Sequence, residues 1–237
     1  MKTVGILGGI GPLAGLFLFQ RIIANTQALT DQEHVPVLLY SNTAILDRTS
    51  AILADDRTVE RQLITSARLL EDMGADILIV ACNTAHYYID AIQAAIGIPV
   101  LNIIQLAIDQ AKTYGCDRVM VMGTTATRST GIYSKVIQQA GLREILFNRD
   151  DQEQIMKIIY QDIKAGKPDD VVAELMTILD RAAQSRPQAI IVGCTELSIF
   201  SSQLSLEKIN IIDPIELVAR KAIELAGGQL TEICSIL

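Results

Sequence analysis

The feature that most constrains the fold of this chain is a regular succession of short apolar runs, each followed by a turn and a longer helical pattern. Most of the runs are continuously apolar rather than alternating, which is typical of parallel strands covered on both faces. Strands that alternate with helices favour an α/β fold with parallel sheets. The predicted strands are 3–8, 35–41, 76–82, 98–104, 118–123, 143–147, 189–194 and 209–212, and the predicted helices include 56–73, 85–95, 103–114, 130–140, 151–164 and 168–185.

The same runs indicate an internal repeat. VGILGG at 4–9 and VMVMGT at 119–124 are each typical of a strand that ends in a small-residue turn. DILIVACNT at 76–84 and AIIVGCT at 189–195 are each an apolar strand that ends in Cys and then Thr. The two first strands and the two cysteines are offset by nearly the same interval, so we expect two similar α/β lobes in tandem.

The lobe boundaries follow from two of the runs. The 98–104 run comes directly after Gly97 and is expected to cross from one lobe to the other. The last strand and helix, 209–226, are expected to pack back on the first lobe. The predicted lobes are therefore 1–98 plus 209–237 and 99–208.

Composition and charge exclude several classes of protein. Half of the 237 residues are apolar, so the chain can bury a full core. The net charge of −7 is scattered along the chain and makes nucleic acid a poor partner. The uncharged stretch 3–19 imitates a signal peptide, but its five glycines and a proline favour a strand, a turn and a helix over a membrane segment. We expect a cytoplasmic protein with neither a membrane nor a nucleic-acid partner.

The four cysteines, at 82, 116, 194 and 234, show no Cys-x-x-Cys spacing. Neither a disulfide framework nor a zinc site is therefore expected, and thiols stay reduced in the cytosol. Cys116 and Cys234 are interpreted as small buried hydrophobic residues. A metal site of Cys82 with His86 would have too few ligands, so we expect His86 to hold an orientation near the site.

Cys82 and Cys194 both fall at the carboxyl end of a predicted strand, where open parallel sheets bind their ligands. Each precedes a predicted helix, whose first backbone amides favour a thiolate and can stabilise a carbanion. Inversion of an α-carbon requires removal of a proton from one face and its return to the other, which two opposed bases can do. With each sulfur about 3–3.5 Å from the carbon, the sulfurs would lie roughly 6–7 Å apart, beyond the reach of a disulfide.

Two other functions are open at this stage. The stretch GIGPLA at 9–14 fits a loose G-x-G-x-x-A dinucleotide fingerprint, which would indicate a nucleotide-dependent oxidoreductase that uses NAD. However, Tyr40, Ser41 and Asn42 stand where an acid is expected after the second strand, and Pro12 removes an amide from the turn. A non-catalytic protein that binds acidic amino acids is the other alternative.

Three motifs together make a family resemblance specific: VGILGGIGPLAG at 4–15, ACNTAH at 81–86 and GCTEL at 193–197. With them the sequence resembles the aspartate/glutamate racemase superfamily, and within it the aspartate racemase branch. The resemblance implies racemisation without pyridoxal phosphate or any other cofactor or metal. It also implies two pseudo-symmetric three-layer α/β lobes, an active site in the cleft between them, and a homodimer.

The resemblance extends to individual positions. Cys82 and Cys194 correspond to the two proton donors and acceptors, and Arg48 and Lys164 to the basic residues that meet the acidic substrate. An α-carbanion beside a carboxylate needs such cations; Arg48 would act as a bidentate fork, oriented by Asp47, and Lys164 as a point charge. Further substrate contacts are implied at Asn83, Thr84, Thr124, Thr125 and Thr195.

The substrate prediction depends on two details of the resemblance. Glutamate racemases open with an Asp-Ser-Gly turn and carry His after the second Cys-Thr, whereas this chain has Gly-Gly-Ile-Gly-Pro and Glu196. Both details favour the interconversion of L- and D-aspartate. A pocket discriminates one methyl or methylene by only ~1–3 kcal/mol, so glutamate and methylated aspartate are the alternative substrates.

Overall fold

The computed structural model of the chain describes residues 1–232. Its strands are β1 (Val4–Gly8), β2 (Val37–Ser41), β3 (Ile77–Val80), β4 (Val100–Leu101), β5 (Arg118–Gly123), β6 (Arg143–Ile145), β7 (Ala189–Gly193) and β8 (Asn210–Ile212). They form two four-stranded parallel sheets with the orders β2-β1-β3-β4 and β6-β5-β7-β8, so both sheets have the same topology. The predicted α/β fold with two parallel-sheet lobes is confirmed.

Helices connect and flank these strands. They are α1 (Pro12–Asn25), α2 (Arg48–Leu53), α3 (Thr58–Asp72), α4 (Ile89–Ala95), α5 (Ile103–Thr113), α6 (Thr125–Ser129), α7 (Ile132–Gln139), α8 (Arg149–Lys157), α9 (Val171–Ala183), α10 (Thr195–Ser198) and α11 (Pro214–Ala226). Short 3₁₀ turns occupy Asp31–Glu33, Thr84–Tyr88 and Ser201–Gln203, and a π-helical segment occupies Ile158–Ile163.

The central strands are mostly buried because helices cover both faces of each sheet. Every residue of β1, β3 and β7 is buried, whereas the edge strands β2 and β6 are partly exposed. This burial explains why the central strands have continuous apolar runs in the sequence.

The flanking helices bury one amphipathic face each. In α3, Val59, Leu63, Ala67 and Leu70 recur at helical spacing and are fully buried against the first sheet. Burial of each valine or leucine contributes roughly 1.5–3 kcal/mol. In the second unit α9 packs against its sheet in the same way.

Two paired glycines allow β5 and β7 to approach each other closely at their carboxyl ends. Gly123 and Gly193 lie opposite each other in the ladder. A Cβ atom on Gly123 would lie 2.6 Å from the carbonyl oxygen of Gly193, which is backbone and cannot move aside. Since Thr124 and Cys194 follow these glycines directly, the close approach fixes where both residues leave the sheet.

The chain divides into two compact units, which differ from the predicted lobes at both boundaries. The first unit comprises Met1–Ile103 and the described chain from Ile215 onward, and the second comprises Ile104–Pro214. The prediction placed 99–208 in the second lobe, but β4 pairs with β3 and belongs to the first sheet.

The strand predicted at 209–212 is the second boundary correction. It forms β8, which pairs with β7 of the second sheet instead of packing back on the first lobe. The Asn210 N–H donates to the carbonyl of Gln188 at 2.9 Å. Only the helix that follows, α11, belongs to the first unit, where the carbonyl of Ala226 accepts a hydrogen bond from the Lys2 N–H at 2.9 Å.

Three predicted helices begin or continue differently in the structure. The helix predicted from 168 begins at Val171, because Asp170 has a positive φ of 60° that no first helical turn can accommodate. The helix predicted at 151–164 is α-helical as far as Lys157, where α8 ends, and then continues as the π-helical segment. The helix predicted at 85–95 begins as a 3₁₀ turn and becomes α-helical at Ile89.

His86 is a buried cross-link in the first unit. Its Nδ1 lies 2.8 Å from the carbonyl oxygen of Cys82, and the Ile103 N–H donates to its Nε2 at 3.3 Å. The ring is therefore neutral with its proton on Nδ1, and it ties the segment after β3 to the start of α5. Burial lowers the pKa of His86 to about 4, and hydrogen bonds to the carbonyls of Cys82 and Leu101 offset only part of that effect.

This lowered pKa makes stability depend on pH. In the unfolded chain His86 is protonated below about pH 6.5, whereas in the folded chain it is protonated only below about pH 4. Between these two pH values the unfolded chain binds more protons, so the free energy of unfolding falls as the pH is lowered from 6.5 to 4. Below pH 4 this shift lowers the free energy of unfolding by roughly 3 kcal/mol relative to its value at neutral pH. In urea unfolding at pH 7, 6, 5 and 4, His86→Gln should show a shallower loss of stability than the wild type.

The matched control is His34→Gln, the same substitution at the other histidine of the chain, which leaves His86 in place. It should keep the wild-type pH dependence. Equal slopes for wild type and His86→Gln would show that His86 binds its proton over the same pH range in the folded and unfolded chains, which the neutral cross-link described above does not allow.

Candidate active site

Cys82 lies just beyond the carboxyl end of β3. Its side chain is buried, and its backbone N–H donates to the carbonyl of Val80 at 2.8 Å. Asn83 and Thr84 follow, both buried, and Thr84 opens the 3₁₀ turn rather than the α-helix that was predicted. The expectation that His86 holds an orientation here is met by its bond to the Cys82 carbonyl.

Cys194 lies in the corresponding place in the second sheet. It follows β7 directly, is buried, and is the residue that caps α10. Its Sγ donates a hydrogen bond to Oε2 of Glu196 at 3.0 Å. In each sheet, then, a buried cysteine follows the third strand of the unit in chain order and precedes a short helical turn.

Arg48 is the first residue of α2 and is almost completely buried in the first unit. Its Nη1 donates to the carbonyl of Leu46 and its Nη2 to that of Ile10, both at 2.9 Å. Asp47 caps the helix by accepting bonds from the N–H and hydroxyl of Ser50 at 2.8 and 3.0 Å. The guanidinium is therefore anchored to the turn after β1, and Asp47 fixes the helix start from which it projects.

The turn that holds Arg48 is shaped by glycine. Gly9 and Gly11 have φ of 83° and 121°, and Pro12 begins α1 directly afterwards. A Cβ on Gly9 would overlap the backbone of Asn42, so only glycine fits there.

Lys164 ends the π-helical segment of the second unit, a type of distortion that is frequent at functional sites. Its Nζ lies 3.4 Å from Oε1 of Glu196 and 4.6 Å from the ring centroid of Tyr160. Lys164 and Cys194, which were predicted separately, are thus joined through one carboxylate.

The three predicted threonines of the second unit have different surroundings. Thr124 is buried and caps α6 by accepting the Thr127 N–H at 3.1 Å. Thr125 is exposed, and its N–H donates to the sulfur of Met156 at 3.2 Å. Thr195 is buried, and its hydroxyl donates to Oε2 of Glu196 at 3.3 Å.

Glu196 is the site residue that sequence reasoning used only to distinguish family branches. Its buried carboxylate contacts Cys194, Thr195 and Lys164. The available signal was an acidic residue two positions after a strand-end cysteine, in the first turn of a short helix. Such a residue lies within reach of the preceding side chain and also complements the helix end.

Cys116 has surroundings of its own. Cys116 is buried, and its sulfur accepts a weak bond from Asn210 Nδ2 at 3.7 Å, while Cys234 lies outside the described residues. Within residues 1–232 no three His, Cys, Asp or Glu side chains are grouped as metal ligands would be. In the same part of the chain, no helix has the length and apolar character needed to cross a bilayer.

Comparisons with known proteins cover nearly the whole chain. A structure described as Picrophilus torridus aspartate racemase superposes with a TM-score of 0.86 at 28% identity, covering 98% of this chain and 96% of that one. The broad specificity amino-acid racemase RacX of Bacillus subtilis is 27% identical over 224 residues, 93% of this chain and 96% of its own length. Glutamate racemase of Persephonella marina is 28% identical over 241 residues, 95% of this chain and 84% of its own.

The match at the level of family extends through both cysteine motifs. The Asp/Glu/hydantoin racemase family model aligns with residues 7–222, which include the turn after β1 and both strand-end cysteines. The chain therefore belongs to the Asp/Glu/hydantoin racemase family and is an amino-acid racemase.

Proposed function

We propose that this racemase interconverts L- and D-aspartate without a cofactor, with Cys82 and Cys194 as its two bases. The observation that carries the proposal is the equivalent placement of the two sulfurs. Each is buried after the third strand of its unit, in two sheets of identical strand order. A repeat that puts the same reactive group at the same place twice suits a reaction that needs the same chemistry on two faces of one carbon.

In the proposed reaction the cysteines approach the α-carbon from opposite sides. One sulfur, as thiolate, takes the α-proton, and the other, as thiol, returns a proton to the opposite face. The roles are exchanged in the reverse direction, so a single chain serves both enantiomers. General acid–base catalysis of this kind contributes about 10²–10⁴-fold to the rate.

We propose that Arg48 and Lys164 bind the carboxylates of the substrate. Arg48 supports this role because two backbone carbonyls already fix its guanidinium, so little reorganisation accompanies substrate binding. Lys164 supplies a positive charge close to Cys194, through their shared neighbour Glu196. Polar contacts to the rest of the substrate are proposed for Asn83, Thr84, Thr124, Thr125 and Thr195.

Aspartate is the favoured substrate for two reasons. The similarity to the Picrophilus torridus aspartate racemase covers nearly all of both chains, and Glu196 stands where the glutamate racemases carry a histidine. Glutamate is the second candidate, because the Persephonella marina glutamate racemase is about as similar in sequence. Methylated aspartate is the third candidate, because it differs from aspartate by a single methyl group. On the family resemblance we also propose a cytoplasmic homodimer.

A panel of amino acids in deuterated water tests the substrate. Incubation with L-aspartate should replace the α-proton signal in the proton NMR spectrum and yield D-aspartate on chiral chromatography. L-Glutamate and L-3-methylaspartate should react at least about tenfold more slowly, which is what a pocket that discriminates one carbon can achieve. Faster turnover of glutamate would reassign the substrate, and no exchange with any acidic amino acid would refute the proposal.

Single cysteine variants test the two-base assignment. Cys82→Ala and Cys194→Ala should each lower the rate of inversion by about 10³-fold or more, since each removes one acid–base group. Each variant keeps one base, so each should still exchange the α-hydrogen of one enantiomer with solvent deuterium, and the two variants should exchange opposite enantiomers. Deuterium incorporation with retention, measured by NMR for each enantiomer, gives the readout.

Cys116→Ala is the matched control for both variants, because Cys116 is also buried and has no proposed role. It should racemise at the wild-type rate. Normal inversion by Cys194→Ala, or exchange of the same enantiomer by both single variants, would rule out two opposed sulfurs.

Substitution of Arg48 tests its role in binding. Arg48→Lys keeps a positive charge but loses the planar fork and its two anchoring bonds, so kcat/KM for aspartate should fall by about 10–100-fold. Arg57→Lys is the control, since Arg57 lies on the surface of the same unit with an exposed side chain. Steady-state kinetics in both directions measures the effect, and an unchanged kcat/KM for Arg48→Lys would remove Arg48 from the site.

A further inference from the structure

Glu196 joins two residues of the proposed site. One oxygen of its carboxylate, Oε2, accepts a hydrogen bond from Cys194 Sγ at 3.0 Å, and the other, Oε1, lies 3.4 Å from Nζ of Lys164. The Thr195 hydroxyl donates to Oε2 as well, at 3.3 Å. The carboxylate is 5% exposed, so these contacts replace water around it.

The chemistry of this cluster favours a protonated sulfur. A carboxylate can only accept hydrogen bonds, and a sulfur that donates to it must carry its proton. A thiolate at the same place would face a negative charge at hydrogen-bond distance with little water to screen it. The ammonium of Lys164 lies 3.4 Å from the other oxygen of the same carboxylate.

Two other titratable groups of the second unit, Tyr133 and Asp213, do not reverse that preference. Tyr133, from α7, is buried, and its pKa is raised well above its usual value, mainly by loss of solvation and further by the Asp213 carboxylate. It is therefore uncharged at neutral pH. Asp213 accepts hydrogen bonds from the hydroxyls of Ser198 and Ser201, at 2.7 and 2.5 Å. Through these contacts Cys194 is linked to the carboxylate of Glu196 and, beyond it, to the ammonium of Lys164.

Cys82 has different neighbours in its own unit. The residues that follow it, Asn83 and Thr84, are uncharged, and the histidine bound to its carbonyl is neutral because burial lowers the pKa of His86 to about 4. The two cysteines are equivalent in topology, but a carboxylate contacts the sulfur of Cys194, whereas the three residues just named beside Cys82 carry no charge.

We propose that Glu196 is a positioning residue that holds Cys194 in its thiol form, so that Cys82 supplies the thiolate when the cycle begins. The inference rests on the proposed two-base function and specifies its starting state. The enantiomer whose α-C–H bond faces Cys82 is then the one that the resting enzyme converts.

The proton balance of this half-cycle is complete. The α-C–H bond breaks as an S–H bond forms on Cys82, and the electron pair stays on the carbon. The S–H bond of Cys194 breaks as a new C–H bond forms on the opposite face, and Cys194 becomes the thiolate. Between the two transfers both sulfurs carry a proton and the negative charge lies on the substrate carbon. At the end Cys82 is the thiol and Cys194 the thiolate, and loss of a proton from Cys82 to solvent with uptake of one by Cys194 beside Glu196 restores the starting state.

The experiment measures the thiol directly, without turnover. The wild type and Glu196→Gln are alkylated with iodoacetamide between pH 5 and 10, and the modified peptides that contain Cys82 and Cys194 are quantified by mass spectrometry. Removal of the negative charge should lower the pH midpoint of Cys194 alkylation by about one pH unit, which makes the reaction about tenfold faster at pH 7. The midpoint of Cys82 is the internal reference and should not move.

Glu207→Gln is the matched control, since it removes a carboxylate that is 88% exposed from the same unit. It should leave both midpoints unchanged. Glu196→Asp, which keeps the charge on a shorter side chain, should lie between wild type and Glu196→Gln, and it provides the comparison if Glu196→Gln proves unstable in thermal unfolding. If Glu196 had only a structural role, its substitutions would change the melting temperature, but Glu196→Asp and Glu196→Gln would not differ in the pH midpoint of Cys194 alkylation.

The outcomes are distinct. A Cys194 midpoint that is unchanged or raised in Glu196→Gln would overturn the proposal, because the carboxylate would then not favour the thiol. If the midpoint falls but the single-cysteine variants retain normal inversion, the contact is as described and the two-base function has failed instead. If both tests succeed, pre-steady-state conversion by the resting wild type should be faster for the enantiomer that Cys194→Ala still exchanges.

Discussion

Parallel strand pairing is the constraint on which the rest of this structure depends. A parallel sheet needs a crossover after each strand, so helices cover both faces and all the strand carboxyl ends lie along one edge. In each unit that edge is where the polar residues emerge from an otherwise apolar layer. Arg48, Cys82, Thr124 and Cys194 all belong to segments that follow a strand, and none interrupts the core.

The duplicated topology is combined with surroundings that are not duplicated. In the first unit the strand-end cysteine is supported through its backbone by a neutral histidine, and the cation is an arginine fixed by two carbonyls. In the second unit the cysteine bonds through its sulfur to a carboxylate, and the cation is a lysine paired with that carboxylate. Symmetry of the backbone thus coexists with an asymmetry of charge, which a reaction between mirror-image substrates has to accommodate.

The sequence predicted the strands well, because the central ones are buried on both faces and leave continuous apolar runs. It failed where a tertiary contact decided the outcome. The assignment of 209–212 depended on which sheet had an open edge beside β7, and the start of α9 depended on the left-handed conformation of Asp170. The roles of Glu196 and of the π-helical segment before Lys164 depend on side-chain geometry and backbone register, for which sequence periodicity carries no signal. The two cysteines were identifiable because the repeat marked them twice.

The way Arg48 is held has a consequence for how substrate range can diverge in chains of this kind. Its guanidinium is anchored to a glycine turn whose backbone leaves no space for a side chain at Gly9, so a shift of that charge would require the turn, its proline and the helix start to change together. Lys164, by contrast, ends a π-helical segment and is partly exposed, so loss or gain of one residue in that segment would rotate the lysine without disturbing the sheet. With the proposed binding roles of these two residues, adaptation to longer or bulkier acids would need fewer structural changes at Lys164 than at Arg48.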